Sequence, residues 1–284
     1  MHSARRGMGS DVAGSRPYRP GDDIDTIDWG ASARLSAASA SDVFIVRERY
    51  AEEAPYVVCV CDRRPEMSFF QAPLPWLRKP QAMQAALELI VRSAVGAHGF
   101  VGYVDHADGE LYWQPPQSEH RLLREAAGRL DRQRYGAPAD AVPRALAHLE
   151  QHRRSLPAGT FVFCLSDFLQ PPSDEEWLQA LEQRWDVVPV VIQDPVWEQN
   201  FPDVAGIGIP FADPVTGRVA TALLNEREVT ERRAANEERR RLLLESFDSL
   251  DLEPVLVSSH DPGDVLGSFL TWAEHRLYRR GRPW

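Results

Sequence analysis

From Tyr56 onward, continuous apolar runs alternate with stretches of helical periodicity. Tyr56–Asp62, Thr160–Asp167 and Asp186–Ile192 lack the apolar–polar alternation of a half-wet strand, so each predicts a strand buried on both faces. Glu253–Ser258 predicts a last strand. Phe100–Asp105 and Glu110–Trp113 flank Ala107-Asp108-Gly109 and predict a hairpin. Helical periodicity covers Pro80–Ala97, Ser118–Leu130 and Asp140–Arg154, the last with Asp140 as its cap. Ser173 with Glu176, and Asn225 with Glu228, are capping-box pairs that open helices running to Gln183 and Ser249. Asp261-Pro262 opens a final helix through Arg279. The stretch 194–222, with two Asp-Pro pairs and several glycines, predicts loop and a short hairpin. Strands alternating with helices predict an α/β fold, a doubly wound and mostly parallel sheet flanked by helices as a Rossmann-like three-layer sandwich.

Residues 1–50 break this rhythm. They are rich in Gly, Ser, Ala, Arg and Asp, and predict a largely irregular arm ending in a short strand over Val43–Val46. The chain therefore divides into an arm, 1–50, packed on a body, 51–284.

Charge and composition remove several function classes. The formal net charge of −10 argues against nucleic-acid binding through phosphate neutralisation. No apolar run is long enough to span a bilayer, and Met1–Ser10 lacks the apolar core of a secretory signal. Cys59, Cys61 and Cys164 fall in strand-like runs and read as buried, reduced thiols, so a cytoplasmic location is expected. No P-loop, H-E-x-x-H or G-x-S-x-G motif occurs, and the histidines are scattered. Lys79 stands as the sole lysine in a chain whose other basic side chains are Arg and His. Genome bias accounts for that without a phosphate-binding role.

Candidate chemistry sits at two strand ends. In an open α/β sheet, ligands bind at the carboxyl ends of the strands, where the strand order reverses. Asp62 and Asp167 are delivered to that edge. Two carboxylates there either share a hard divalent cation, need a basic partner, or hold a proton. Arg64 and Glu66 follow Asp62 where a metal loop would carry small hydroxyls. Three readings stay open. Arg64 pairs with Asp62 or Asp167; or Asp62, Glu66, Ser166 and Asp167 form an altered oxygen shell for Mg or Mn, with Asp62 and Asp167 the fallback ligands; or the groups are solvated.

The most distinctive segment is Arg16-Pro17-Tyr18-Arg19-Pro20-Gly21-Asp22-Asp23-Ile24-Asp25-Thr26-Ile27-Asp28-Trp29, followed by Arg34. Pro20-Gly21 fits the centre of a type II turn, and the arginines can pair with Asp22, Asp23 and Asp28. This segment resembles the signature of the DUF58 family through Arg16, Tyr18, Gly21, Asp22, Asp23, Ile27, Asp28, Trp29, Ala33 and Arg34. Asp25 stands where that family usually has Arg, and Gly30 where Lys is frequent. Val57–Asp62, Leu165-Ser166-Asp167 and Gln193-Asp194-Pro195 follow the family's order, so the resemblance covers essentially the whole chain.

The resemblance implies a von Willebrand factor A-like domain, whose sheet edge often carries a metal-ion-dependent adhesion site of the pattern D-x-S-x-S, then Thr, then Asp. Asp62 matches the first Asp and Asp167 the last. Arg64 and Glu66 replace the serines, and Ala139-Asp140 offers no threonine. It further implies an interaction module with protein partners that include a MoxR-type AAA+ ATPase acting in assembly or maturation of other proteins. With no nucleophile–base–orienter set in the sequence, a non-enzymatic adaptor without a cofactor is expected; the alternatives are a Mg- or Mn-dependent protein-binding module and, last, a metal-dependent hydrolase.

Overall fold

The computed structural model describes residues 6–18, 27–39, 44–50, 54–68, 77–118, 135–213, 216 and 218–280. It divides into two compact units, Met1–Pro55 and Tyr56–Trp284.

The first unit is more regular than its composition predicts. Strand β1 (Arg6–Pro17) pairs antiparallel with β2 (Ile45–Tyr50), with register shifts between Gly7 and Gly14. Helix α1 (Trp29–Ser39) lies between them in sequence. Asp28 caps α1 by accepting from the Ala31 amide at 3.0 Å. Ser32 ties the helix to β2 by accepting from the Ile45 amide at 2.8 Å. The expected irregular arm is thus corrected. The small Ala and Ser side chains that blur apolar periodicity are compatible with a capped helix.

In the second unit, six strands form one sheet in the order β10-β7-β6-β3-β4-β5. These are β3 (Tyr56–Cys61), β4 (Phe100–Asp105), β5 (Tyr112–Gln117), β6 (Phe161–Ser166), β7 (Asp186–Ile192) and β10 (Val255–Val257). All neighbours are parallel except β4 and β5. The return strand β5 starts at Tyr112, two residues later than the pattern predicts, after a 3-10 turn over Ala107–Gly109. The chain builds outward from β3 through β4 and β5, then crosses back to β6. The switch point therefore lies between β3 and β6.

Alternation along β3 sets the layers. Val57, Cys59 and Cys61 face one core with α2 (Lys79–Gly96) and α6 (Pro262–Arg280). Val58 and Val60 face the other with α3 (Ala141–Gln151), α4 (Asp174–Glu182) and α5 (Glu226–Ser249). Both capping boxes form, at Ser173/Glu176 and Asn225/Glu228. Asp140 makes no capping bond; its carboxylate pairs with Arg144 at 2.8 Å on the surface instead. The expected helix Ser118–Leu130 falls almost wholly outside the described residues. A ribbon of β8 (Gly208–Ala212) and β9 (Val219–Leu223) stands apart from the main sheet. All three cysteines are free and buried, and burial pushes their thiols well above the ordinary range.

The second core turns on three rings. Trp177 is fully buried, with ring centroids 5.9 Å from Phe168 and 6.0 Å from Phe247. Trp177→Ala should cost about 3–5 kcal/mol, read from urea unfolding; a loss under about 1 kcal/mol would place the cooperative core elsewhere.

Candidate functional site: a strand-end edge held by two cations

Each of the four inner parallel strands delivers an aspartate to the same edge: Asp62 after β3, Asp105 ending β4, Asp167 after β6 and Asp194 after β7. All four are buried. Buried carboxylates require partners, and each has a different one.

Asp62 is held by Arg64. The Arg64 backbone amide donates to Asp62 Oδ1 at 2.9 Å, closing a turn that folds the side chain back over the strand end. Its guanidinium then grips the same carboxylate, with Nε donating to Oδ2 at 2.9 Å and Nη2 at 2.6 Å. Ser166, at the end of β6, donates to Asp62 Oδ2 at 2.6 Å and accepts from Arg64 Nη2 at 3.1 Å. Arg64 Nη2 lies 3.7 Å from Asp167 Oδ1, so one guanidinium spans both strand ends. Burial alone would loosen the Arg64 proton, but the hydrogen bonds and charge of Asp62 outweigh it and raise the pKa.

Asp167 is held by Lys79, the first residue of α2. Lys79 Nζ donates to Asp167 Oδ2 at 2.7 Å, to the Glu66 carbonyl at 3.2 Å, and to Glu198 in a short pair. The lysine is fully buried. Burial favours its neutral form, yet Asp167 and then Glu198 override this and hold the ammonium above its usual range. Glu198 bears the cost: burial pushes its carboxyl up against the pull of Lys79. A cation at a helix N-terminus also runs against the helix dipole. The acids, not helix propensity, therefore place this lysine.

The surrounding shell fixes the frame. Leu169 N donates to Asp167 Oδ1 at 3.0 Å, and Gln193 Nε2 to the Asp167 carbonyl at 2.7 Å. Asp194 accepts from the amides of Leu77, Val196 and Trp197 at 2.7, 2.8 and 2.9 Å. Tyr103 donates its hydroxyl to Asp105 at 2.7 Å. The Arg63 guanidinium lies 4.2 Å over the Tyr135 ring. Phe168 takes a positive φ of 49° just past the edge. Its backbone N–H donates to Ser166 Oγ at 3.0 Å, and this hydrogen bond and its buried ring hold it there.

Of the residues singled out in the sequence, Asp62, Arg64, Ser166 and Asp167 converge. Glu66 joins through its backbone carbonyl, while its Oε2 is buried without a hydrogen-bond partner among the described residues. Tyr18 and Trp29 are exposed, with the Trp29 ring edge-on to Phe44 at 6.0 Å. Arg16 sits in β1 opposite Val46, Asp28 caps α1, and Arg34 is exposed on α1. Gly21, Asp22 and Asp23 lie outside the described residues. Lys79 and Glu198 escape sequence reading, although the solitary lysine of an Arg-rich chain is a signal.

A divalent ion does not fit this donor set. Magnesium needs near-octahedral oxygens at about 2.0–2.1 Å. Here the inward oxygens of Asp62 and Asp167 already accept from cationic nitrogens. Among the described residues, no group of three or more His, Cys, Asp or Glu side chains is arranged to hold a metal, and no helix is long and apolar enough to cross a membrane.

A family model described as a protein of unknown function, DUF58, matches residues 14–242. Uncharacterized proteins of Mycobacterium tuberculosis (strain H37Rv) and Mycobacterium bovis are each 25% identical over 212 residues, covering 73% of this chain. The chain spans 62% of the length of those relatives. Among solved structures, BatB from Bacteroides thetaiotaomicron aligns at TM-score 0.43 and 16% identity, covering 78% of this chain and 99% of that one. The pilus adhesin SpaC from Lactobacillus rhamnosus GG aligns at TM-score 0.48 and 11% identity, covering 78% and 30%. Such scores are too loose to carry fold or function.

Removing Lys79 should expose the charge balance. Its raised pKa means the pairing stabilises fully below the ordinary lysine range and is lost as pH climbs through the folded value. In Lys79→Met, Glu198 keeps its burial without a cation and Asp167 keeps only the Arg64 guanidinium 3.7 Å away, which should cost about 3–5 kcal/mol at neutral pH. The Glu198 carboxyl, already pushed up by burial, then favours its protonated form, so the deficit should shrink as pH falls into the carboxylate range. Urea unfolding across pH checks this; a deficit that is constant with pH contradicts the pairing.

Proposed function

Because the chain belongs to the DUF58 family, whose function is unknown, we propose from the strand-end edge that its buried acids, neutralised by tethered cations, underlie a metal-free docking surface of a von Willebrand factor A-like domain in a non-enzymatic adaptor. The observation that carries the reading is the paired occupancy of the edge: Arg64 on Asp62 and Lys79 on Asp167, at 2.6 and 2.7 Å. In the adhesion-site pattern those two acids share a divalent ion. Here tethered side chains supply the positive charge, and a tethered charge needs no metal to be recruited before a partner binds.

The chemistry of the neighbouring groups supports binding over catalysis. Ser166 donates a hydrogen bond to Asp62, but the same carboxylate oxygen is already neutralised by Arg64 at 2.6 Å, which weakens it as a base for that hydroxyl. The cysteines are buried and their thiols are held protonated. The partner follows from the family resemblance alone: a MoxR-type AAA+ ATPase, with the adaptor linking it to proteins under assembly or maturation. Tyr18 and Trp29 of the arm are exposed to such contacts, whereas the Asp62 and Asp167 pairs are buried and act on a partner by fixing the strand-end turns above them.

Two measurements test the reading. An ion at 100 times its Kd would stabilise the fold by about 2.7 kcal/mol, raising the melting midpoint by about 5–10 °C. The chain should show no such rise with magnesium or manganese, and when immobilised should retain a MoxR-type ATPase of its own organism. A metal-dependent rise lost in Asp167→Ala, or no retention of the ATPase, contradicts the proposal.

A further inference from the structure

The β8–β9 ribbon is a two-stranded sheet, and its register tells which backbone groups face its outer edges. Gly208, Ile209, Pro210, Phe211 and Ala212 stand opposite Leu223, Ala222, Thr221, Ala220 and Val219. The Asp213 amide donates to the Arg218 carbonyl at 2.8 Å, which makes 213 and 218 a hydrogen-bonded pair. Bonded and non-bonded pairs alternate in an antiparallel ladder. Phe211/Ala220 and Ile209/Ala222 therefore bond each other. Gly208, Pro210 and Ala212 turn their backbone groups outward along β8, and Val219, Thr221 and Leu223 do so along β9.

The two edges differ. Pro210 sits at the centre of the β8 edge and has no N–H to offer, which closes that edge to further pairing. Strand β9 has no proline and no charged residue. Its outward positions also carry exposed side chains: Val219 at 65%, Leu223 at 69%, and Thr221 between them. Among the described residues, no backbone group bonds to Val219, Thr221 or Leu223 from this outer side. An unguarded edge backed by apolar and β-branched side chains is a template for another strand.

We propose that β9 docks β9 of a second copy of this chain, antiparallel, joining two ribbons into a four-stranded sheet about a two-fold axis at Thr221. Charge complementarity selects this occupant and direction. Uncharged β9 is flanked by Arg218 at its start and Glu226 just past its end, both exposed. Antiparallel pairing centred on Thr221 sets Arg218 opposite Leu224 of the other copy, at the start of its α5, whose first turn carries the acids Glu226 and Glu228. Parallel pairing would bring like charges together. The contact is isologous and closes as a dimer. Val219 of each copy faces Leu223 of the other, and Thr221 faces itself.

Sedimentation of the full chain from about 5 to 500 μM reads the association. The wild type should reach the dimer mass at the upper end. Thr221→Pro should stay monomeric with an unchanged circular dichroism spectrum, because residue 221 donates nothing to β8. Disulfide trapping reads the register. Opposed Thr221→Cys residues would lie about 5.5 Å apart across the axis, within disulfide reach. Two Val219→Cys residues would be offset by about 13 Å. Thr221→Cys should form a covalent dimer on mild oxidation and Val219→Cys should not, the native cysteines being buried. A wild type that stays monomeric throughout overturns the proposal. So does a dimer that survives Thr221→Pro, or Val219→Cys trapping as readily as Thr221→Cys.

Discussion

Two carboxylates at the ends of adjacent parallel strands, about 4.8 Å apart in the sheet direction, cannot both stay ionised and buried without positive charge between them. This requirement organises the edge of the sheet. Asp62 and Asp167 flank the switch point, and the chain answers with Arg64 from the turn after β3 and Lys79 from the start of α2. Removing charges from water is costly, and only close geometry with further hydrogen bonds offsets it. Ser166, the Leu169 amide, Gln193 and the Glu66 carbonyl supply those bonds.

A covalently tethered cation behaves differently from a bound ion. It cannot dissociate, it does not depend on metal concentration, and it couples the edge to the elements that carry it. Lys79 connects α2 to β6 through Asp167 and to the turn after β7 through Glu198. Arg64 reaches further, donating to the Gln170 carbonyl at 3.1 Å. The edge is therefore a rigid part of the body, with the strain of Phe168 absorbed by the aromatic cluster beneath it. A partner would meet a preformed surface, which lowers the ordering cost of binding.

Most of the second unit is legible in the sequence because its strands are buried on both faces. Runs such as Val57–Cys61 and Phe161–Ser166 leave no competing pattern, and capping boxes mark their helices through specific bonds. The first unit is less legible, since Gly, Ala and Ser carry little periodicity and its ribbon has an irregular register. In the site, Asp62, Arg64, Ser166 and Asp167 can be read because they sit within two residues of strand ends. Lys79 and Glu198 cannot, since Lys79 meets Asp167 across 88 positions of sequence, and Glu198 meets Lys79 from still further along the chain, only after α2 and the turn after β7 are packed. Asp140 misleads for a local reason: an i,i+4 arginine competes for the carboxylate that would have capped the helix.

The claim that side-chain cations hold the strand-end acids is tested most directly by anomalous diffraction from crystals soaked in manganese. The account predicts no manganese peak between Asp62 and Asp167, with the Arg64 guanidinium on Asp62 and the Lys79 ammonium on Asp167. A manganese ion bridging the two carboxylates, with Arg64 turned out to solvent, contradicts it.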